Sequence, residues 1–89
     1  MSEEPNYYTY MVRCSDGSFY TGQTKDLAKR LSQHNGLLKN GARYTKYKRP
    51  VELVYYEVYQ NRKVACRREY QIKKLDRKQK EALCDTMIP

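Results

Sequence analysis

Two hydrophobic periods alternate along this chain, one of two residues and one of three to four, and their order predicts the architecture. Residues 7–14 (YYTYMVRC) are rich in aromatic and β-branched types and read as a strand, and Phe19-Tyr20-Thr21-Gly22 reads as its return. Asp16-Gly17 marks the turn between them. A two-residue loop would place Tyr10 and Tyr20 on opposite faces, because side chains alternate along a strand. A three-residue loop, Ser15-Asp16-Gly17 with Gly17 left-handed, pairs Tyr20 with Val12 and Tyr10 with Gly22. Both tyrosines then share one face as diagonal neighbours, and this second register is the one expected.

The next stretch changes period. Asp26 is placed to cap a helix that runs to about Asn35, where Asn35-Gly36 stops it. Leu27 and Leu31 form its apolar stripe, and Arg30 and His34, four apart, sit together on one flank of it. Residues 36–50 carry Gly36, Gly41 and Pro50 and read as irregular, with a short helical turn at most. Val51 to Tyr59 (VELVYYEVY) is the strongest strand. Arg62 to Leu75 follows as a helix with Val64, Ala65, Ile72 and Leu75 on one face, and Asp76 caps a last helix to about Cys84, before a frayed tail. The order ββαβαα implies a small α/β sandwich: one domain over residues 1–89, core about 7–84, with a three-stranded antiparallel sheet flanked by helices.

Composition narrows the function. The 89 residues hold 10 Tyr, 1 Phe and no Trp, more phenols than so small a core needs, so some are expected to line a cleft or surface. Eighteen Lys and Arg against ten Asp and Glu leave a formal charge of +8, which attracts polyanions, nucleic acid foremost. Three widely spaced cysteines (Cys14, Cys66, Cys84) and a single histidine argue against a disulfide framework and against structural zinc. No stretch approaches the roughly 18 apolar residues of a membrane span. The start, Met1 to Pro5, is acidic and lacks the apolar core of a signal sequence, so a cytoplasmic protein with free thiols is expected, and no protein partner is indicated.

The chemistry-bearing residues fall into an ordered set. Thr9-Tyr10-Met11 and Tyr20-Thr21-Gly22 are separated by the short hairpin; Arg30 lies ten positions past Tyr20, His34 one turn later, and Glu69 sits in the run Arg67-Arg68-Glu69-Tyr70-Gln71-Ile72-Lys73-Lys74. This set resembles the GIY-YIG nucleases, with Thr9 and Met11 as departures in the first signature half. The Arg67–Lys74 run, with Gly41-Ala42-Arg43-Tyr44-Thr45 and Arg49-Pro50-Val51, is close to the small stand-alone bacterial branch of that family. The resemblance implies hydrolysis of DNA phosphodiesters with low sequence specificity, and a catalytic set of Tyr10, Tyr20, Arg30, His34 and Glu69. In that scheme Tyr10 or Tyr20 orients or deprotonates the water, although a phenol near pKa 10 is a poor base unless neighbouring cations lower it. Arg30 holds the scissile phosphate through its planar fork. Glu69 binds one Mg²⁺ or Mn²⁺, with waters completing the shell. His34 relays a proton, and Gly22 lets backbone approach the substrate.

Each of these residues also has a local explanation. Arg30 could be a solvated helix residue, His34 a cation at a helix end, Glu69 the partner of Lys73 four positions on, and the two tyrosines sheet packing. The basic residues suggest where DNA would lie, branched or single-stranded forms included. Arg43, Lys46, Lys48 and Arg49, with Lys39 before them, run without an acid and interleave with Tyr44 and Tyr47; Lys25 and Lys29 flank the first helix; Arg67, Arg68, Lys73 and Lys74 surround Glu69. Two other readings remain open on these residues. One is a nucleic-acid-binding module of the same fold without strong catalysis, and the other is a basic accessory protein of a ribonucleoprotein particle.

Overall fold

The computed structural model describes residues 6–87; the acidic start at 1–5 and the last two residues of the tail lie outside it. Seven elements follow one another: β1 (Tyr7–Arg13), β2 (Phe19–Thr24), α1 (Leu27–His34), the single-turn α2 (Arg43–Lys46), β3 (Glu52–Tyr59), α3 (Arg62–Lys73) and α4 (Arg77–Asp85). The strands form one antiparallel sheet in the order β2-β1-β3. The α/β sandwich expected from the hydrophobic pattern is therefore the one observed.

The β1–β2 hairpin takes the three-residue register. Tyr10 opposes Gly22 and Val12 opposes Tyr20. Gly17 has φ +85° and closes the turn by donating to the Cys14 carbonyl at 2.9 Å, while Cys14 N–H meets the Ser18 carbonyl at 2.8 Å. A side chain at Gly17 would strain that left-handed backbone.

Alternation then splits the core into two layers. On one face Tyr10, Val12, Cys14 and Val51 pack beneath Leu27 and Leu31 of α1. On the other, Met11 and Tyr55 pack against Ile72, Leu75 and Cys84 of α3 and α4. The helix starts are fixed by side chains: the Asp26, Asn61 and Asp76 oxygens each accept a backbone N–H of their own first turn, and Asp76 with Gln79 forms a reciprocal capping box. One expectation for α3 fails. Ala65 and Ile72 are fully buried, but Val64 is exposed, because the sheet covers only a narrow stripe of the helix and Val64 falls just outside it. Among the described residues no helix is long and apolar enough to cross a membrane.

A polar clasp joins β3 to α3. The Glu57 carboxylate takes Arg68 Nε at 2.8 Å and Nη2 at 3.0 Å, and the Tyr55 and Tyr59 hydroxyls both donate to it. Burial raises the Glu57 carboxyl, but the Arg68 guanidinium and the two phenols outweigh it and hold the group below its ordinary value. A depressed acid stabilises the fold above its unfolded pKa and loses that contribution as pH falls through the folded value. Arg68→Met is therefore expected to cost roughly 1–3 kcal/mol at pH 7. That loss should shrink well below pH 4, where Glu57 is protonated. Urea unfolding at the two pH values checks this, and an equal loss at both would refute it.

Candidate active site

The side chains singled out in the sequence meet where α1 crosses the hairpin. His34, the last residue of α1, is fully buried and makes contacts on both ring nitrogens: Nε2 lies 2.7 Å from the Tyr10 hydroxyl and Nδ1 lies 2.8 Å from Thr45 Oγ1. Thr45 Oγ1 also donates to the Ala42 carbonyl at 3.1 Å. A hydroxyl has one hydrogen, so toward the imidazole Thr45 can only accept, and Nδ1 must carry the proton. The bare Nε2 then accepts from Tyr10. Burial, helped by the nearby Arg30 and Arg49 charges, pushes the His34 pKa down to about 4, in keeping with a neutral ring. The readings of His34 as a proton relay poised near neutrality, or as a cation at the helix end, give way to a neutral, two-sided connector.

Arg30 lies one helical turn before His34. Its Nε reaches the Tyr10 oxygen at 3.4 Å, and its Nη1 donates to Gln33 Oε1 at 3.0 Å and to the Asn40 carbonyl at 2.8 Å. Asn40 has φ +73°, a left-handed conformation that Asn tolerates better than most residues. The guanidinium is held on three sides, while Nη2 has no hydrogen-bond partner among the described residues. Burial opposes the Arg30 charge, yet the Tyr10 and Tyr20 phenols more than compensate and raise its pKa.

Tyr10 runs against expectation. Arg30 does lower its pKa, but burial is the larger effect and the phenol ends at about 12. Its ring occupies the space left by Gly22: a Cβ there would fall 2.7 Å from the Tyr10 oxygen and 2.9 Å from Cζ. The glycine thus makes room for the catalytic-candidate tyrosine, and approach to substrate is not what uses that space. Tyr20 sits on the same face, edge-on to His34 with ring centroids 5.0 Å apart and tilted against Tyr44 at 5.7 Å. Glu69 comes from α3, on the other layer. Its charge is close enough to add to the upward push on Tyr10, but its direct partner is Lys73, 2.7 Å away. Tyr10, Tyr20, Arg30 and His34 are therefore in one contact group, with Glu69 at its border.

Thr45 is the participant that sequence reasoning passed over; the only signal was its place in the Gly41–Thr45 stretch. Gln33 and the Asn40 carbonyl were likewise invisible without the helix end that brings them to Arg30. The same end is tied down twice more. The Asn35 amide exchanges two hydrogen bonds with the Val51 backbone, at 2.7 and 3.1 Å, and Arg49 Nε donates to the His34 carbonyl at 2.7 Å.

The basic residues divide into committed and available groups. Arg68 is consumed by Glu57, Arg49 by the His34 carbonyl, Lys73 by Glu69, and Lys48 by Asp16 at 3.3 Å. Lys48 also lies 3.9 Å over the Tyr44 ring, Lys46 5.4 Å over Tyr47, Lys74 4.2 Å over Tyr70 and Lys25 5.4 Å over Tyr7. Lys29, Arg43 and Arg67 are exposed and make no ion pair among the described residues.

A family model described as the GIY-YIG catalytic domain matches residues 6–82, nearly the whole chain. The chain belongs to the GIY-YIG family. A UPF0213 protein of Staphylococcus saprophyticus is 49% identical over 74 residues, covering 83% of this chain and 88% of the relative. One of Bacillus pumilus is 44% identical over 85 residues, covering 96% and 85%. Among solved structures, a UPF0213 protein of Bacillus halodurans superimposes with a TM-score of 0.58 at 38% identity, covering 92% of this chain and 85% of that one. A protein from E. faecalis gives 0.62 at 40% identity, covering 97% and 90%. These relatives identify a small stand-alone GIY-YIG branch. In this GIY-YIG chain the second signature half, Tyr20-Thr21-Gly22, supplies both a half-buried phenol and the gap into which Tyr10 fits.

Two predictions follow from the buried imidazole. His34, the only histidine, is expected to keep Nδ1–H, Nε2-bare ring nitrogen shifts from pH 8 down to near pH 4. Because its folded pKa lies below the unfolded value, the folded state gains nothing above about pH 6.5 and loses stability as pH falls from there to about 4. Ring ¹⁵N spectra that titrate near pH 6.5 would contradict both statements. Gly22→Ala is expected to push the Tyr10 phenol off His34, costing about 1–3 kcal/mol as an overpacked core. A crystal structure of the variant with the Tyr10–His34 contact intact would disprove it.

Proposed function

We propose that this protein is a metal-dependent endonuclease that hydrolyses DNA phosphodiester bonds with low sequence preference, acting in DNA repair or recombination in the cytoplasm. The observation that carries the reading is Arg30: hydrogen bonds to Tyr10, Gln33 and Asn40 fix its guanidinium, and among the described residues its Nη2 makes no further one, facing only the favourable influence of the Tyr20 phenol. A cation held this firmly beside two phenols suits a phosphate oxygen, and the lack of rearrangement on binding is what makes such a contact effective in the transition state.

The roles of the other residues follow from their protonation states. Tyr10, with its pKa pushed up to about 12 and its proton directed at His34, is a positioning residue that aims Arg30. His34, neutral and engaged on both nitrogens, sets the direction of the Tyr10 hydroxyl. Tyr20 is the phenol left to orient the attacking water. Glu69 would hold the divalent cation. Among the described residues no three His, Cys, Asp or Glu gather as a metal cage, so the donor set is one hard carboxylate with waters and substrate phosphate, which fits Mg²⁺ or Mn²⁺. The Glu69–Lys73 pair is half-exposed on the Lys side and is readily exchanged for a cation. When bound, the metal supplies charge neutralisation at the phosphate and a more acidic water.

Purified protein incubated with single-stranded, duplex and branched DNA in Mg²⁺ or Mn²⁺ tests this. Cleavage is expected, with Arg30→Ala and Glu69→Gln each reducing it by about 10²–10³-fold. Binding without cleavage by the wild type would leave a nucleic-acid-binding module. That second reading draws on the same observation that withholds Tyr10 and His34 from acid–base work.

A further inference from the structure

Among the described residues, part of the sheet face that carries Tyr10 has no helix over it. Helix α1 covers the Val12 end through Leu27 and Leu31. Toward the start of β1 the cover stops. Tyr10 opposes Tyr56 on β3, and two residues further along Tyr8 opposes Val58 on β3 and Thr24 on β2. Directly opposed residues share a face, so Tyr8, Tyr56 and Val58 continue the surface on which Tyr10 lies. Tyr56 is 38% exposed and Val58 48%. The Tyr8 and Tyr56 rings meet edge-on, with centroids 6.0 Å apart and planes at 66°.

The charge around this strip is one-sided. Glu57, between Tyr56 and Val58, points to the opposite face, where Arg68, Tyr55 and Tyr59 bind it. Among the described residues the strip itself carries no carboxylate. Arg30 stands at the Tyr10 end; Lys25, next to Thr24 in sequence, holds its ammonium over the Tyr7 ring on the opposite face. An exposed Tyr56 ring and a half-buried Tyr8 ring beside a fixed guanidinium suit unpaired bases strung on a phosphate backbone. A duplex buries the faces of its bases in its own stack and cannot use the rings in this way.

We propose that the Tyr8–Tyr56 strip is a stacking platform for single-stranded DNA, receiving the bases next to the phosphate held at Arg30. This rests on the nuclease reading for the location of that phosphate and adds the strandedness of the substrate. Stacking of a base on an aromatic ring contributes from several-fold to about a hundredfold in affinity. Two adjoining rings therefore give a preference that backbone contacts alone do not.

The test measures binding in EDTA, so that no cleavage is needed. The full chain is titrated into labelled oligodeoxythymidine, oligouridine and a DNA duplex of equal length, followed by anisotropy. The wild type is expected to prefer oligodeoxythymidine. Tyr8→Ala with Tyr56→Ala should lower that affinity about tenfold or more, whereas Tyr8→Phe with Tyr56→Phe should restore it, because the ring is what stacks. Circular dichroism checks the fold; if the double alanine variant unfolds, Tyr56→Ala alone carries the test at the more open position. Equal losses on single strand and duplex would overturn the platform. So would no loss, tighter binding to oligouridine, or a wild-type dimer that Tyr56→Ala dissolves. A wild type that prefers single strands through these rings yet cleaves nothing in Mg²⁺ keeps the platform and ends the nuclease reading. One that cleaves, with both variants unaltered in binding, does the reverse.

Discussion

Everything at this site depends on a histidine that is kept neutral. The His34 imidazole is the point where three parts of the chain join: α1 through its own backbone, β1 through Tyr10, and the 36–50 segment through Thr45. Each partner has a fixed donor or acceptor role, so the ring can occupy the site in only one protonation state. Thr45 is committed as an acceptor because its hydrogen goes to Ala42. Protonating Nε2 would set two donors, Nε2–H and Tyr10 O–H, against each other at a fully buried position. A charged ring there would also face Arg30 and Arg49. The low pKa of His34 and the high pKa of Tyr10 thus have one origin, the burial of a hydrogen-bond chain whose polarity is set from outside.

That polarity leads outward to Arg30. A buried phenol that keeps its proton presents a lone pair to the guanidinium, and with Gln33 and Asn40 it holds the fork in place. The same burial that disqualifies Tyr10 as a base qualifies it as a rigid support. Among the described residues Arg30 and the Tyr20 hydroxyl keep bonding capacity, and of the two Arg30 is positively charged. In the proposed reading, a site built this way would favour an anion before any catalytic step.

Much of this was legible in the sequence, for reasons that lie close to the backbone. Asp16-Gly17 dictates a turn, and the side-chain alternation then forces Tyr10 and Tyr20 onto one face; Asp26 and Asn35-Gly36 bound the helix that carries Arg30 and His34. What was not legible depends on long-range packing. Val64 fits the apolar stripe of α3 by spacing, but the width of the sheet decides where burial ends. Arg68 looks like part of a basic patch until Glu57, eleven residues earlier, turns out to face it. Spacing places Arg30 near the signature tyrosines, yet nothing local says that burial would outweigh Arg30 in setting the protonation of Tyr10.

The formal charge of +8 needs the same correction. Several of its strongest contributors are engaged inside the fold, so the cations left for a polyanion are fewer and differently placed than a count suggests. Lys29, Arg43 and Arg67 are exposed, and Arg30 is half-buried but has an open nitrogen. Committed cations shape the protein; uncommitted ones shape its field. Because exposed charges are screened within about 8 Å at physiological salt, in the proposed nuclease the guanidinium fixed beside the phenols would govern where a phosphate settles, and the outer cations how fast it arrives. On the proposed reading, the aromatic rings further along the same sheet face would then set what form of strand can follow that phosphate into the site.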